Sequence, residues 1–254
     1  MERLSEQLQR REKIKEYAVG REIISMRELR ELCPEVALMT LHRDLEALQR
    51  EGAILKIRGG ARVISHRSDP SFLNRELENV PAKKEIAAKS LSLIRDGMSL
   101  FFDAGTTSMF LLRALPNIKL NIFTTGANFA PELQRLAIAS ITLCGGELNR
   151  SNMALSGQST LDFLDRINID LGFIGVSGYT DDSGFTCGKE SEMLVKRLVI
   201  KKARTPVALM DSSKLSRIMP YTFAVLADFE YVVTDGHMPE SFLNLARKGN
   251  TAVL

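Results

Sequence analysis

Residues 34–62 read PEVALMTLHRDLEALQREGAILKIRGGAR, and this stretch decides the N-terminal fold. Leu38, Leu41, Leu45 and Leu48 recur at spacings of three, four and three, so a helix over 38–50 places them on one buried stripe. Met39, Thr40 and Arg43 then point away from that stripe. Gly52 ends the helix. Ala53 to Ile57 is predicted as a strand, Arg58-Gly59-Gly60 as a turn and Ala61 to Ile64 as the returning strand. Upstream, residues 4–19 are rich in Leu, Glu, Lys, Arg and Gln, which predicts a helix stopped at Gly20. Ser25 and Glu28 have capping-box spacing, and Leu29 and Leu32 follow on one face as far as Pro34. Three helices followed by a basic hairpin is the order of a winged helix-turn-helix.

That order carries a chemistry. A helix fits the DNA major groove, and its outward N-terminal residues reach base edges. Thr40 supplies a hydroxyl and Arg43 a guanidinium fork, with Met39 beside them. His42 lies at the flank of the stripe and reads as a backbone contact or a packed residue. Arg58, Gly59 and Arg62 form a basic wing tip suited to phosphates or the minor groove. Taken singly, each arginine is an ordinary solvated side chain; as an ordered set they point to double-stranded DNA. The charge distribution agrees. Residues 1–67 carry 14 Lys and Arg against 11 Asp and Glu, and the rest of the chain is balanced at 20 of each.

The chain has 254 residues, 44% of them apolar and 26% charged, enough for a small domain plus a medium one. Its N-terminus is charged throughout and lacks the apolar stretch of a signal peptide, and no run reaches membrane-spanning length. A cytoplasmic protein is expected. Cys33, Cys144 and Cys187 are far apart and match no metal spacing, so they read as packed, reduced thiols, and no cofactor motif is present. The expected division is a winged helix-turn-helix domain over 1–64, a linker over 65–82 and a larger domain over 83–254.

In that larger domain short apolar strands alternate with helices. Helices are predicted near 83–95, 106–115, 127–137, 159–167, 189–204 and in the 240s. Strands are predicted at 98–103, 120–124, 140–144, 171–176, 206–210 and 231–234. This alternation implies a Rossmann-like, mostly parallel α/β sheet covered on both faces. In such sheets ligands bind at the C-terminal strand ends. Asp103, Gly105, Thr106 and Thr107 occupy one such end, where a glycine and two hydroxyls at a helix N-terminus suit a phosphate. Thr124, Thr125 and Gly126 occupy the next, and Gly145 and Gly146 the one after. Gly175 and Gly178, then Asp211 and Lys214, end two later strands. Glu192 and Lys196 lie on a helix expected to face the same cleft. Asp103 suits a sugar hydroxyl and Lys214 a phosphate.

Both halves together resemble the DeoR family of bacterial transcription regulators. The N-terminal match is Val36-Ala37-Leu38-Met39-Thr40-Leu41-His42-Arg43-Asp44-Leu45, then Gly52 and Gly59-Gly60-Ala61. Ala37 stands where the family usually has serine, and His42 where it has arginine. The C-terminal match is Asp103-x-Gly105-Thr106-Thr107, Gly145-Gly146, Gly157, Gly175-x-x-Gly178, Gly184, Lys196 and Asp211-Ser212-Ser213-Lys214. Thr124-Thr125 replaces the family's usual Thr-Asn. The resemblance implies a ribose-5-phosphate-isomerase-like sensor domain and a phosphorylated sugar that weakens the grip on the operator. It also implies a repressor of a carbohydrate operon rather than an enzyme. A homodimer or homotetramer is expected, because one small winged domain makes too few contacts for operator specificity. The alternative is a sugar-phosphate isomerase with an accessory N-terminal module.

Overall fold

The computed structural model describes residues 2–18, 23–50, 54–63 and 72–254, apart from the side chains at 2–6, 62–63 and 73–74. The chain divides into two units, Met1–Asp69 and Pro70–Leu254.

The first unit runs α1 (Glu2–Ala18), β1 (Ile23–Ser25), α2 (Met26–Leu32), α3 (Leu38–Arg50), β2 (Ile54–Ile57) and β3 (Gly60–Val63). The capping box forms: Glu28 N–H donates to Ser25 Oγ at 3.2 Å, and Ser25 N–H donates to Glu28 Oε2 at 2.8 Å. β3 lies between β1 and β2, antiparallel to both. A Cβ on Gly60 would stand 2.1 Å from the Ile24 carbonyl oxygen, so only glycine lets β3 pair with β1 here. β1 was not expected, because three residues are too few to show a period of two.

Leu41, Leu45 and Leu48 are fully buried beside Ile14, Ile24 and Leu29. Leu38 departs from the expected stripe and is 46% exposed. It is the first residue of α3, and helical side chains lean toward the N-terminus, which carries this one past the edge of the core. Asp44 joins the three leucines on the inner face and is wholly buried. The expected stops at Gly20 and Gly52 and the expected strand residues Ala53 and Ile64 lie outside the described residues.

The second unit opens with α4 (Phe72–Leu77) and α5 (Val80–Leu91), followed by β4 (Ser99–Phe102), α6 (Thr106–Ala114) and β5 (Asn121–Thr124). Next come α7 (Ala130–Leu133), β6 (Ser140–Leu143), β7 (Glu147–Asn149), β8 (Ala154–Ser156), α8 (Gln158–Asp165) and β9 (Ile169–Gly175). Then β10 (Gly178–Thr180), β11 (Gly184–Cys187), α9 (Glu190–Lys202), β12 (Ala203–Leu209) and β13 (Tyr221–Ala224) follow. β14 (Tyr231–Val233), α10 (Glu240–Lys248) and β15 (Ala252–Val253) end the chain.

Seven strands form one sheet in the order β15-β14-β12-β9-β4-β5-β6, and every pairing in it is parallel. Successive residues of β9 enter different cores, Leu171 and Phe173 on one face and Ile174 on the other. Burial on both faces is why these strands read as continuous apolar runs. The chain lays down β4, β5 and β6 outward in one direction. It then returns to β9 on the other side of β4 and builds outward the opposite way. The order therefore reverses between β4 and β9, and the crevice at such a reversal is where open α/β sheets bind ligands.

Two expectations need correction, and one feature is new. Residues 72–82 are not linker: α4 and the start of α5 lie there, and Phe72 is buried in the sheet core. Residues 65–71 of that expected linker lie outside the described residues. The helix expected at 127–137 is a 3₁₀ turn (Ala127–Phe129) plus the single turn α7. Beyond α7 the chain tightens, with Leu136 N–H donating to Leu133 O at 3.0 Å, which brings Leu136 into the core. Finally, the antiparallel pair β7–β8 and the small sheet β10-β11-β13 were not expected, their strands being three or four residues long.

Candidate functional site

Two places concentrate polar side chains suited to ligands, one in each unit. In the first, α3 starts without a side-chain cap. Thr40 and Leu41 N–H groups turn back to Ala37 O at 2.9 and 3.2 Å, which puts Ala37 at the helix entry, where it offers no oxygen. Met39 is 66% exposed, Arg43 is exposed and Thr40 is half-buried, so the outward face of α3 is the expected one. His42 is half-buried, and its Nδ1 has no hydrogen-bond partner among the described residues. Arg58 and Gly59 are exposed at the β2–β3 turn, Gly59 at φ 87° and with its carbonyl accepting from Met26 N–H at 2.8 Å. Arg62 lies on β3, and its side chain is outside the description.

Asp44 anchors this face from behind. Arg10 Nε donates to its Oδ2 at 2.6 Å and Arg11 Nε to its Oδ1 at 3.1 Å. Two arginines of α1 thus hold α3 by its own carboxylate. The hydrogen bond to Asp44 lifts Arg10 above the usual arginine range. The leucine period pointed to this inner face, but it gave no hint that a charge sat there.

In the second unit the order reversal brings Asp103, Gly105, Gly175 and Lys196 into one hydrogen-bonded group. Asp103 Oδ1 accepts from Gly105 N–H at 3.0 Å and from Ser108 Oγ at 2.8 Å. Its Oδ2 accepts from Gly175 N–H at 2.9 Å and from Lys196 Nζ. Lys196 also donates to Gly175 O at 2.8 Å. Burial opposes both charges, but their attraction outweighs it. Asp103 is held below the ordinary carboxylate range and Lys196 above the ordinary lysine range. The two glycines fit tightly here: a Cβ on Gly105 would lie 3.0 Å from Asp103 Oδ1, and one on Gly175 3.3 Å from it.

Thr106 and Thr107 follow as the first residues of α6, both nearly buried. Gly105 is the helix cap and supplies no side-chain acceptor, so the first N–H groups of α6 have no intrahelical partner. A helix start of this kind favours an anion. At the neighbouring end of β5, Thr124 Oγ1 donates to Phe102 O at 2.7 Å and accepts from Gly126 N–H at 3.0 Å. Thr125 is 3% exposed beside it. On the other side, Asp211 and Lys214 follow β12, with Lys214 Nζ 3.7 Å from Asp211 Oδ2.

Other expected residues serve the fold. A Cβ on Gly146 would meet Ser156 O at 2.4 Å, and Gly145 O accepts from Thr160 Oγ1 at 2.7 Å, so this pair packs the turn toward α8. Gly178 belongs to the small antiparallel sheet, with Arg217 O 2.5 Å from where its Cβ would be. Glu192, one turn before Lys196 on α9, accepts from Asn152 Nδ2. Ser108 was not among the expected residues. Ser108 adjoins the Gly-Thr-Thr motif and was legible there.

The comparisons agree with this anatomy. A family profile described as the DeoR C terminal sensor domain matches residues 78–236, and one described as the DeoR-like helix-turn-helix domain matches residues 10–67. The HTH-type transcriptional regulator GlpR of Haloferax volcanii is 34% identical over 204 residues, 78% of each chain. The glycerol-3-phosphate regulon repressor of Escherichia coli is 31% identical over 211 residues, 83% of this chain and 84% of that one. The HTH-type transcriptional repressor GlcR of Bacillus subtilis is 30% identical over 221 residues, 87% of this chain and 85% of that one. Ribose-5-phosphate isomerase A of Methanocaldococcus jannaschii aligns with a TM-score of 0.38 at 19% identity, over 52% of this chain and 53% of that one. No described helix is long and apolar enough to cross a membrane. With a helix-turn-helix profile over one unit and a sensor profile over the other, the chain belongs to the DeoR family of DNA-binding transcriptional regulators and not to the isomerases.

Proposed function

We propose that the protein represses a carbohydrate-metabolism operon and leaves its operator when a phosphorylated sugar occupies the crevice between β4 and β9. The observation that carries this reading is one chain holding both a winged unit and a parallel sheet whose order reverses at Asp103 and Gly175. Thr40 and Arg43 read base edges in the major groove, with Met39 and His42 at their margin. Arg58, Gly59 and Arg62 hold phosphates from the wing. The uncapped start of α6 at Thr106 and Thr107 receives the effector's phosphate, and Lys214 adds a cation. Thr125 lies where the sugar is told from its relatives.

Asp103 has another task in this reading. Both its oxygens are taken by protein donors, so it fixes the strand ends and the ligand meets its neighbours. The protein works in the cytoplasm as a homodimer or homotetramer on double-stranded operator DNA. By linkage, an effector that favours the free state binds the DNA-bound state more weakly by the same factor.

Fluorescence anisotropy on fragments upstream of the gene and its neighbours tests the proposal. The expected result is a preference for one fragment over random DNA that survives 200 mM salt and is lost on adding one member of a sugar-phosphate panel, such as glycerol 3-phosphate. Equal binding to all fragments would overturn the operator half. A salt-resistant preference that no sugar phosphate disturbs would overturn the effector half.

A further inference from the structure

Helix α4 has six residues, too few to hold itself, so its tethers decide where it lies. Phe72 is buried in the sheet core, and its N–H donates to Ser151 O at 3.1 Å. Glu76 pairs with Arg113 of α6 at 2.7 Å. At the other end, Lys83 Nζ donates to the carbonyls of Arg75 and Glu78, closing the C-terminus of α4 with a buried cation.

Between α4 and α5 stands Asn79, in the left-handed region at φ 49° and ψ 37°. Its Nδ2 donates to Asp211 Oδ1 at 3.3 Å and to Ser213 Oγ at 2.9 Å, spanning 132 and 134 residues of sequence. Both acceptors belong to the turn that carries Lys214. Asp211 Oδ2 is buried with no hydrogen-bond donor among the described residues. Lys214 Nζ, 3.7 Å away, gives this oxygen a counter-charge but no hydrogen bond, and a buried carboxylate oxygen without a donor is costly, so the turn has a better arrangement within reach once a donor arrives. The chain N-terminal to α4 leads, through residues 64–71, to the winged unit.

We infer that Asn79 and Lys83 are positioning residues of the effector site: they tie the Asp211–Lys214 turn to α4, so that an anionic effector at Lys214 changes how firmly α4 is held. This rests on the effector reading above and extends it to two residues outside the cleft. Lys83 is set for the task. Burial, with Lys214 the next cause, brings it down to about 8, against the opposing pull of Asp211 and Glu78 and with Arg75 adding to the repulsion. An anion that neutralises Lys214 relieves Lys83, strengthens its charge and tightens its hold on the α4 carbonyls.

Amide hydrogen exchange on the full chain tests this, with inorganic phosphate and glycerol 3-phosphate as probes against sodium chloride of equal ionic strength. In the natural protein either probe should slow exchange at Thr106–Ser108 and also in α4, the latter by about tenfold. Asn79→Gly tolerates the left-handed backbone while removing the side chain that carries the amide. In that variant the probes should still slow Thr106–Ser108, while α4 exchanges fast and no longer responds. Lys83→Met should do the same, and Lys83→Arg should restore part of the response. Operator affinity without probe should stay within about threefold of the natural protein in Asn79→Gly, because the reading face is elsewhere. If α4 responds equally in Asn79→Gly and the natural protein, the tether is overturned and the effector reading stands. If no probe protects Thr106–Ser108 in the natural protein, both fall.

Discussion

Lys196 on α9 donates to Asp103 at the end of β4, across 93 residues of sequence, with both side chains less than a tenth exposed. An ion pair in such a place is held by geometry more than by net gain, since burial costs each charge several kcal/mol. Removing one partner leaves the other stranded. Lys196→Met and Asp103→Asn should each destabilise the second unit by about 3 kcal/mol, and the double variant should cost less than the two together. Urea melts of all four proteins measure the coupling. Strict additivity would show that the pair does not act as a unit.

The same pair sets a pH dependence. Asp103 is lower in the folded chain than in the unfolded one, so its stabilisation is present above the ordinary aspartate range of about 4 and is lost as pH falls through the folded value. Lys196 is raised, so its share is present below the ordinary lysine range and is lost as pH rises through its own folded value. Melting temperatures should be flat between these limits and fall on the acid side. Asp103→Asn should remove part of the acid-side fall. An unchanged acid limb in that variant would place the sensitivity elsewhere.

Asp44 should matter to the winged unit in the same manner. Asp44→Ala strands Arg10 and Arg11 and removes the tie between α1 and α3. The expected loss is on the order of 3 kcal/mol in that unit alone. Exchange of α3 amides should rise while amides of β9 and β12 stay protected. Unchanged α3 protection would show that leucine packing suffices.

Arg43→Ala should remove base preference by about 1–3 kcal/mol, with the melting of the protein unchanged, because the side chain is exposed. Competition anisotropy between operator and random DNA reads the ratio. A uniform loss on both DNAs would make Arg43 a phosphate contact instead.

The three thiols should be inert in the folded protein. All are buried, and burial pushes Cys187 up to about 11 and Cys144 up to about 12. A disulfide reagent at pH 8 should react with none of them until denaturant is added. Fast reaction of one equivalent would expose a breathing motion around that residue.

Much of this architecture was readable in the residues because it is built from periodic burial. The strands buried on both faces announced themselves as apolar runs, and the Ser25–Glu28 cap and the Asp103–Thr107 strand end carried local signatures. What escaped notice was non-local or short. Strands of three residues such as β1, β7 and β10 show no period. The burial of Asp44 and Lys83 depends on partners that sequence spacing does not reveal. Leu38 misled for the opposite reason: its spacing was right, but the helix began beneath it.

The division of labour around Asp103 has one more consequence. Its four donors come from the protein, so in the proposed reading the side chain that defines the strand ends leaves the sugar to its neighbours. On the proposed reading, a substitution at Thr125 or Lys214 retunes the inducer while the sheet keeps its register. The framework behaves as a fixed socket with exchangeable contacts, open to a change of diet in its host without a change of fold.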